Sequence, residues 1–262
     1  MLSFNLEGFK RNRFYLSKLI YEYKPMFIFI QEHWLPHYEA SDKFTNDFSG
    51  FNFLVTSSDI FTPAEDKMVE SGPTWHGTAL GWNQNIDKHI SRLPVISERF
   101  CGLKYSDNLT NILAYTAYLP TAGKDEEFLE VLSQLSFDLK SHMTENCAIL
   151  IGLDSNQSIK SSRRRTDAMK HFNEQFSFKS VLVNDEPTFH HNNGTSVSQI
   201  DHILYYVPES STVKVNLHKH LCKLDNFANL SSHDALVANV VLPLAQETNA
   251  EEDFSTTYTQ VE

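Results

Sequence analysis

Ser231-Ser232-His233-Asp234-Ala235-Leu236-Val237-Ala238-Asn239-Val240-Val241-Leu242 places a histidine just ahead of an apolar run that reads as a buried strand. A strand fixes the direction of the side chain at its mouth, so His233 is expected at the rim of a core. A structural, hydrogen-bonded histidine and a catalytic base both suit that position. The run closes a succession of strands, after Ser198-Gln199-Ile200-Asp201-His202-Ile203-Leu204-Tyr205 and Thr212 to Leu217. Earlier in the chain, helical and strand patterns alternate. Alternation followed by strands in succession predicts an α/β fold with two packed sheets flanked by helices rather than one doubly wound sheet.

Working back toward the amino terminus, three more strands end in polar side chains. Leu2 to Gly8 reads as a strand with Asn5 and Glu7 at its carboxyl end, where α/β sheets put polar groups to use; a turn stabilised by Asn5 is the plainer alternative. Leu16, Leu19, Ile20 and Tyr23 share one helical face, and Pro25 ends that helix. Met26-Phe27-Ile28-Phe29-Ile30 then reads as a strand covered on both sides and delivers Gln31-Glu32-His33-Trp34. A carboxylate placed there needs a cation, a donor or water, so Glu32 is a metal ligand or a capping or solvated acid. Ala148 to Leu153 is a further buried strand, ending in Asp154-Ser155-Asn156.

Between these, Pro36 to Gly72 looks polar and irregular apart from Phe51 to Val55, and Gly77 to Trp82 reads as a strand. Asn111 to Tyr118 is a strand closed by Leu119-Pro120, leaving Tyr118 at its end as a core tyrosine or a site residue. Asp125, Glu126 and Glu127 open a helix whose buried stripe is Phe128, Val131, Leu132, Leu135 and Leu139. Arg163, Arg164 and Arg165 lead into another helix and are either a solvated basic loop or phosphate contacts. Period-two alternation turns Asp201 away from Ile200, His202 and Leu204, free to bond a neighbour.

Composition bounds the function. Of 262 residues, 41% are hydrophobic and 21% charged, which are globular values. The net charge of −11 opposes a basic nucleic-acid coat, although Glu247, Glu251, Glu252, Asp253 and Glu262 supply five of those charges. Residues 1–243 are read as one domain and 244–262 as an acidic disordered tail or linker. Cys101, Cys147 and Cys222 stand far apart without CxxC spacing, so neither a zinc site nor a disulfide framework is indicated, and a reducing, intracellular setting is expected. No run approaches the roughly 18 apolar residues of a membrane span, and no secretion leader is read ahead of Asn5.

The ordered set Asn5-x-Glu7-Gly8, Gln31-Glu32-His33-Trp34, Tyr118-Leu119-Pro120, Asp154-x-Asn156, Ser198-Gln199-Ile200-Asp201 and Ser232-His233 resembles the endonuclease/exonuclease/phosphatase superfamily over residues 2 to 242. Gln31 to Leu35, the Gly72 to Trp82 segment and Pro187-Thr188-Phe189-His190 before Ser198-x-Ile200-Asp201 look most like the endonuclease domains of non-LTR, LINE-type retrotransposons. The resemblance implies a four-layer α/β/β/α sandwich of two mixed sheets, with Mg²⁺, replaceable by Mn²⁺, assisting phosphodiester cleavage. It implies Glu32 as principal metal ligand with Asn5 and Glu7 nearby, a set of hard oxygen donors. Asp201 would orient His233; Asp154 and Asn156 would position water and phosphate, either Asp154 or His233 taking the water's proton; Tyr118 would bond the phosphate. Arg163, Arg164, Arg165 and Ser198 are the candidate substrate contacts.

The pattern is broken at Ser232, where the family usually has Asp, with Asp234 as a nearby carboxylate to compensate. Glu7 stands where Asp is common, and Gln199 where a basic residue is common. The implied activity is nicking of DNA by a monomer that leaves a 3′-hydroxyl for reverse transcription, in the nucleus if the chain is a retrotransposon product, with a reverse transcriptase continuing from it that this chain lacks. The alternatives are a phosphomonoesterase or lipid-headgroup phosphodiesterase on the same fold, and a weakened or non-catalytic nucleic-acid-binding domain.

Overall fold

The computed structural model describes residues 1–60, 76–157, 162–182, 186–191 and 197–242. The acidic 244–262 segment, the Asn192 to Thr195 loop and the first part of the Gly72 to Trp82 segment lie outside the described residues.

In chain order the elements are β1 (Leu2–Asn5), α1 (Phe9–Tyr23), β2 (Phe27–Gln31), α2 (His37–Asp47), β3 (Phe51–Thr56), β4 (Thr78–Asn83), β5 (Ile90–Arg92), β6 (Phe100–Ser106) and β7 (Asn111–Tyr118). They continue as α3 (Asp125–His142), β8 (Cys147–Asp154), α4 (Arg163–Gln175), β9 (Lys179–Ser180), β10 (Phe189–His190), β11 (Val197–Ser198), β12 (Asp201–Tyr206), β13 (Lys214–Leu221) and β14 (Ala235–Val241). One six-stranded sheet runs β13-β14-β1-β2-β4-β3 and the other β5-β6-β7-β8-β12-β9, with β10 and β11 forming a separate ribbon. Both large sheets are mixed, because β1–β2 and β7–β8 pair in parallel while their other neighbours are antiparallel.

The apolar runs explain the layering. In β2, Phe27 and Phe29 face the second sheet and Ile28 and Ile30 face α1 and α2. In β8, Ala148 and Leu150 face the first sheet while Ile149, Ile151 and Leu153 pack under α3 and α4. A strand buried on both faces cannot alternate with polar residues, and burying each large apolar side chain contributes roughly 1.5–3 kcal/mol. The result is the expected order of helix layer, sheet, sheet, helix layer.

Several elements differ from expectation. The stretch after Pro36 is not irregular: it holds α2, whose Ala40 and Phe44 are buried one turn apart. Phe44 packs against Phe9, Phe48 and Phe53 at centroid distances of 4.8, 6.0 and 4.8 Å. Strand β1 stops at Asn5 rather than Gly8, because the Asn5 Oδ1 accepts the Glu7 N–H (3.0 Å) and Glu7 and Gly8 turn through φ of 42° and 100°. The turn and the strand end are therefore both real. A Cβ on Gly8 would lie 2.8 Å from the Trp34 ring, so only glycine fits there. Strand β13 runs to Leu221, past the expected end at Leu217, through an irregularity between Leu217 and Lys219.

The sheets approach closely at one end. A Cβ on Gly152 would stand 2.2 Å from Phe29 Cβ and 2.9 Å from Ser3 Oγ. Gln31 crosses the gap, donating from Nε2 to Thr116 Oγ1 (3.1 Å) and Gly152 O (3.2 Å). Two residues beyond Ser3 and Gly152, on the same inward faces, stand Asn5 and Asp154.

Candidate active site

Four strand ends meet where the sheets are closest. Asn5 and Gln31 are paired at the carboxyl ends of the parallel β1 and β2, and Tyr118 and Asp154 at those of β7 and β8. Strand β12 starts opposite Asp154, with Asp201 as its register partner, and His233 immediately precedes the Asp234 that leads into β14, which runs antiparallel to β1. Parallel strands thus contribute their last residues and antiparallel strands their first.

Asn5 ties the two sheets together. Its Nδ2 donates to Glu32 Oε1 (2.8 Å) and to Asp154 Oδ2 (2.7 Å). Glu32, held at φ 52°, also accepts from Trp34 Nε1 (3.0 Å). Asp154 accepts from the Asn156 N–H (2.9 Å), and Asn156 Nδ2 donates to Leu119 O (2.9 Å). Burial, reinforced by Asp201 and Glu32, pushes the Asp154 carboxyl well above the ordinary carboxylate range, against the opposing pull of His233.

His233 is buried and its Nδ1 lies 2.9 and 3.0 Å from the two oxygens of Asp201. Burial alone would lower its pKa; Asp201, helped by Asp154 and Glu7, outweighs that and raises it. The ring packs 4.8 Å from the Phe189 ring, the backbone N–H donates to Ser231 Oγ (3.1 Å), and Asn229 Nδ2 holds the carbonyl (2.8 Å). One ligand atom each from Glu32, Asp154 and His233 falls within 4.8 Å of the others. Four carboxylates, Glu7, Glu32, Asp154 and Asp201, therefore gather around one imidazole. That excess of negative oxygen donors fits a hard divalent cation such as Mg²⁺.

The remaining expected site residues fall into place unevenly. Tyr118 is buried beside the carboxylates, its hydroxyl pKa raised by burial and by Glu32 and Asp154. Asn5 offers its nitrogen to the Glu32 and Asp154 carboxylates and its oxygen to the Glu7 N–H, so it orients both acids. Glu7 lies on the imidazole side: its Oε2 accepts the Ser232 N–H (2.7 Å) and its Oε1 is 4.0 Å from His233 Nε2. A carboxylate thus reaches the neighbourhood of residue 232 from the end of β1 despite the serine there. The expectation that Asp234 compensates is not met. Asp234 is fully buried and accepts from His190, His220 and the Lys223 N–H, away from His233.

Of the three arginines, Arg165 departs from both expected roles. Arg165 is buried, its guanidinium 4.1 Å over the Phe128 ring and donating to Thr121 O (2.9 Å), Pro120 O (2.6 Å) and Asn156 O (3.1 Å). It braces the loops behind the site and has no face for a phosphate. Arg164 is paired with Glu126, while Arg163 is exposed beside Asp167. Ser198 lies in the β10–β11 ribbon opposite Phe189, and its carbonyl accepts the Thr188 N–H (2.9 Å).

Three residues given no role in the sequence reading matter here. Gln31 bridges the sheets. Buried Thr188 accepts the Ile200 and Asp201 N–H groups on Oγ1 (3.1 and 2.9 Å), while its carbonyl accepts the Asp234 N–H (2.7 Å), joining the Asp201 and His233 segments. Buried Arg99 stacks 5.1 Å from the Tyr118 ring and pairs with Glu127. His33, adjacent to Glu32, is structural: Nε2 donates to Thr56 O (2.8 Å) and Nδ1 accepts the Leu35 N–H (3.0 Å).

No protein-family model matches this sequence, and no curated protein does. Solved structures are similar. The endonuclease domain of TRAS1, a telomere-specific non-LTR retrotransposon, is 15% identical with a TM-score of 0.64, the match covering 92% of this chain and 97% of that one. An AP endonuclease from Archaeoglobus fulgidus is 15% identical with a TM-score of 0.67, over 93% and 98% of the two chains. The 3′ phosphatase NExo from Neisseria, bound to product DNA hairpin, is 13% identical with a TM-score of 0.64, over 91% and 97%. At such identities the likeness is one of fold, and it spans nearly the whole of each chain. Among the described residues no helix is long and apolar enough to cross a membrane.

Proposed function

We propose, from the premise that this chain carries the endonuclease/exonuclease/phosphatase fold, that it is a divalent-metal-dependent phosphodiester hydrolase, and specifically a DNA-nicking endonuclease of a non-LTR retrotransposon. The observation that carries the reading is the meeting of Glu32, Asp154 and the Asp201–His233 pair at one end of two sheets, from positions far apart in sequence.

Glu32 would hold Mg²⁺ or Mn²⁺, with an Asp154 carboxylate oxygen within 4.8 Å of it. The ion, when bound, supplies neutralisation of charge developing on the phosphate. Asp154, oriented by Asn5 and Asn156, takes the proton of the attacking water; its raised pKa suits a base working near neutrality. His233, held as imidazolium by Asp201, would stabilise the phosphate oxygens as the P–O3′ bond breaks, and the departing O3′ takes its proton from solvent. Tyr118 bonds the same phosphate. The products are a 5′-phosphate and the 3′-hydroxyl that a polymerase needs.

Purified protein with supercoiled plasmid and Mg²⁺ should yield open-circular DNA, extendable by a DNA polymerase at the nick. Absence of nicking above a His233→Ala control overturns the reading. A second reading, phosphomonoester hydrolysis, is supported by the likeness to a 3′ phosphatase and by the acidic charge. Release of inorganic phosphate from 3′-phosphorylated DNA or inositol phosphates, with plasmid intact, would select it.

A further inference from the structure

On the far side of the segment that carries His233, a second group of ligating side chains comes together from three separate parts of the chain. Asp234 Oδ2 lies 3.1 Å from Nε2 of His190 in β10 and 2.8 Å from Nε2 of His220 in β13. Cys222, the residue after β13, places Sγ 3.8 Å from the same His190 nitrogen. One ligand atom each from His190, Cys222 and Asp234 falls within 4.8 Å of the other two. Zinc bonds to nitrogen, oxygen and sulfur of about 2.0–2.3 Å make tetrahedral edges of roughly 3.2–3.8 Å. The His190–Asp234 and His190–Cys222 separations sit close to those edges.

We propose that His190, Cys222 and Asp234 form a second metal site, for a thiophilic divalent cation of the zinc class. Neutral imidazole, thiolate and carboxylate together suit zinc and are a poor set for Mg²⁺. The surroundings fix the carboxylate in a ligating orientation. Asp234 Oδ1 accepts the Lys223 N–H, and His220 steadies Oδ2 while its Nδ1 meets Glu186 Oε2 at 2.9 Å. Asp234 is wholly buried and His190 nearly so, whereas Cys222 is half-buried, which leaves solvent a route to the fourth position.

The placement gives the site a structural role. Cys222 and Asp234 are the two feet of the loop that runs through Leu224, Phe227 and Leu230, all exposed, and returns at His233. A cation shared by both feet and by β10 staples that loop to the ribbon whose Phe189 packs on His233. The site is independent of the hydrolase reading and is tested without any activity measurement.

The full chain, stripped with chelator, is titrated with Co²⁺ and with Zn²⁺. The expected result is a near-ultraviolet thiolate-to-cobalt charge-transfer band that Zn²⁺ displaces. Cys222→Ser should abolish that band, and His190→Ala or Asp234→Asn should weaken Co²⁺ binding by at least about tenfold. In the unmutated protein Zn²⁺ should block alkylation of Cys222, read residue by residue by mass spectrometry, which keeps the test decisive if a variant fails to fold. A chain with no charge-transfer band, a band that survives Cys222→Ser, or Cys222 alkylation indifferent to Zn²⁺ overturns the proposal.

Discussion

Asp201 decides what His233 can do. Removing its charge while keeping its shape, in Asp201→Asn, takes away the main influence that raises the imidazole pKa and leaves burial, opposed only by Asp154 and Glu7, to lower it. If the imidazolium is the working form, activity is lost as pH rises through its pKa, and the variant's alkaline limb should move to lower pH while kcat falls on the order of 10²–10⁴-fold. A pH–rate profile checks both; a shift confined to the acid limb would assign the neutral base role to His233 instead. His33 makes a separate statement about stability. Burial lowers it from 6.5 to about 4, so between those values the unfolded chain binds a proton that the native state refuses. Stability should fall as pH drops below 6.5, by up to roughly 1.4 kcal/mol per unit from this group, and flatten below about 4. Urea midpoints along that range, compared with His33→Gln, measure it.

Among elements, the strands set the site and the connections between them hold it. The apolar runs of β1, β2 and β8 announce themselves, and so do the polar residues at or just beyond their ends, which is why Asn5, Glu32 and Asp154 stand out without coordinates. Helix α2 is not, because only Ala40 and Phe44 mark its buried side in an otherwise polar stretch. Thr188, Gln31 and Arg99 escape for a different reason: each works by bonding or stacking on groups far away in sequence, a relation that neither periodicity nor composition encodes. Arg165 misleads by the same route, a cation beside a loop being indistinguishable in sequence from a phosphate contact until the three carbonyls around it are known. Thr188→Val should leave the Ile200 and Asp201 N–H groups without their acceptor and cost about 1–3 kcal/mol, with a loss of activity that Thr188→Ser largely restores. Denaturation midpoints and nicking rates of the two variants separate the outcomes.

For the whole molecule, the contact between sheets is the controlling dimension. Gly152→Ala would push a methyl into Phe29 and Ser3, and relief requires the sheets to part where Asn5 and Asp154 meet. The expected cost is about 1–3 kcal/mol or more, read as a lower denaturant midpoint, accompanied by weakened response to Mg²⁺. Because a cation that binds only the native state stabilises it by mass action, Mg²⁺ should raise Tm in the unmutated chain and fail to do so in Glu32→Ala; an equal rise in both would remove Glu32 from the metal site.

Asn5 and Glu32 hang from one sheet, Asp154 and Asp201 from the other, and the Asn5 and Gln31 amides hydrogen-bond across the seam. Neither sheet by itself carries all of the side chains that the proposed reaction requires. On the proposed reading, a nascent, truncated or partly melted copy lacks a complete site, and would cut nothing until both slabs are packed together.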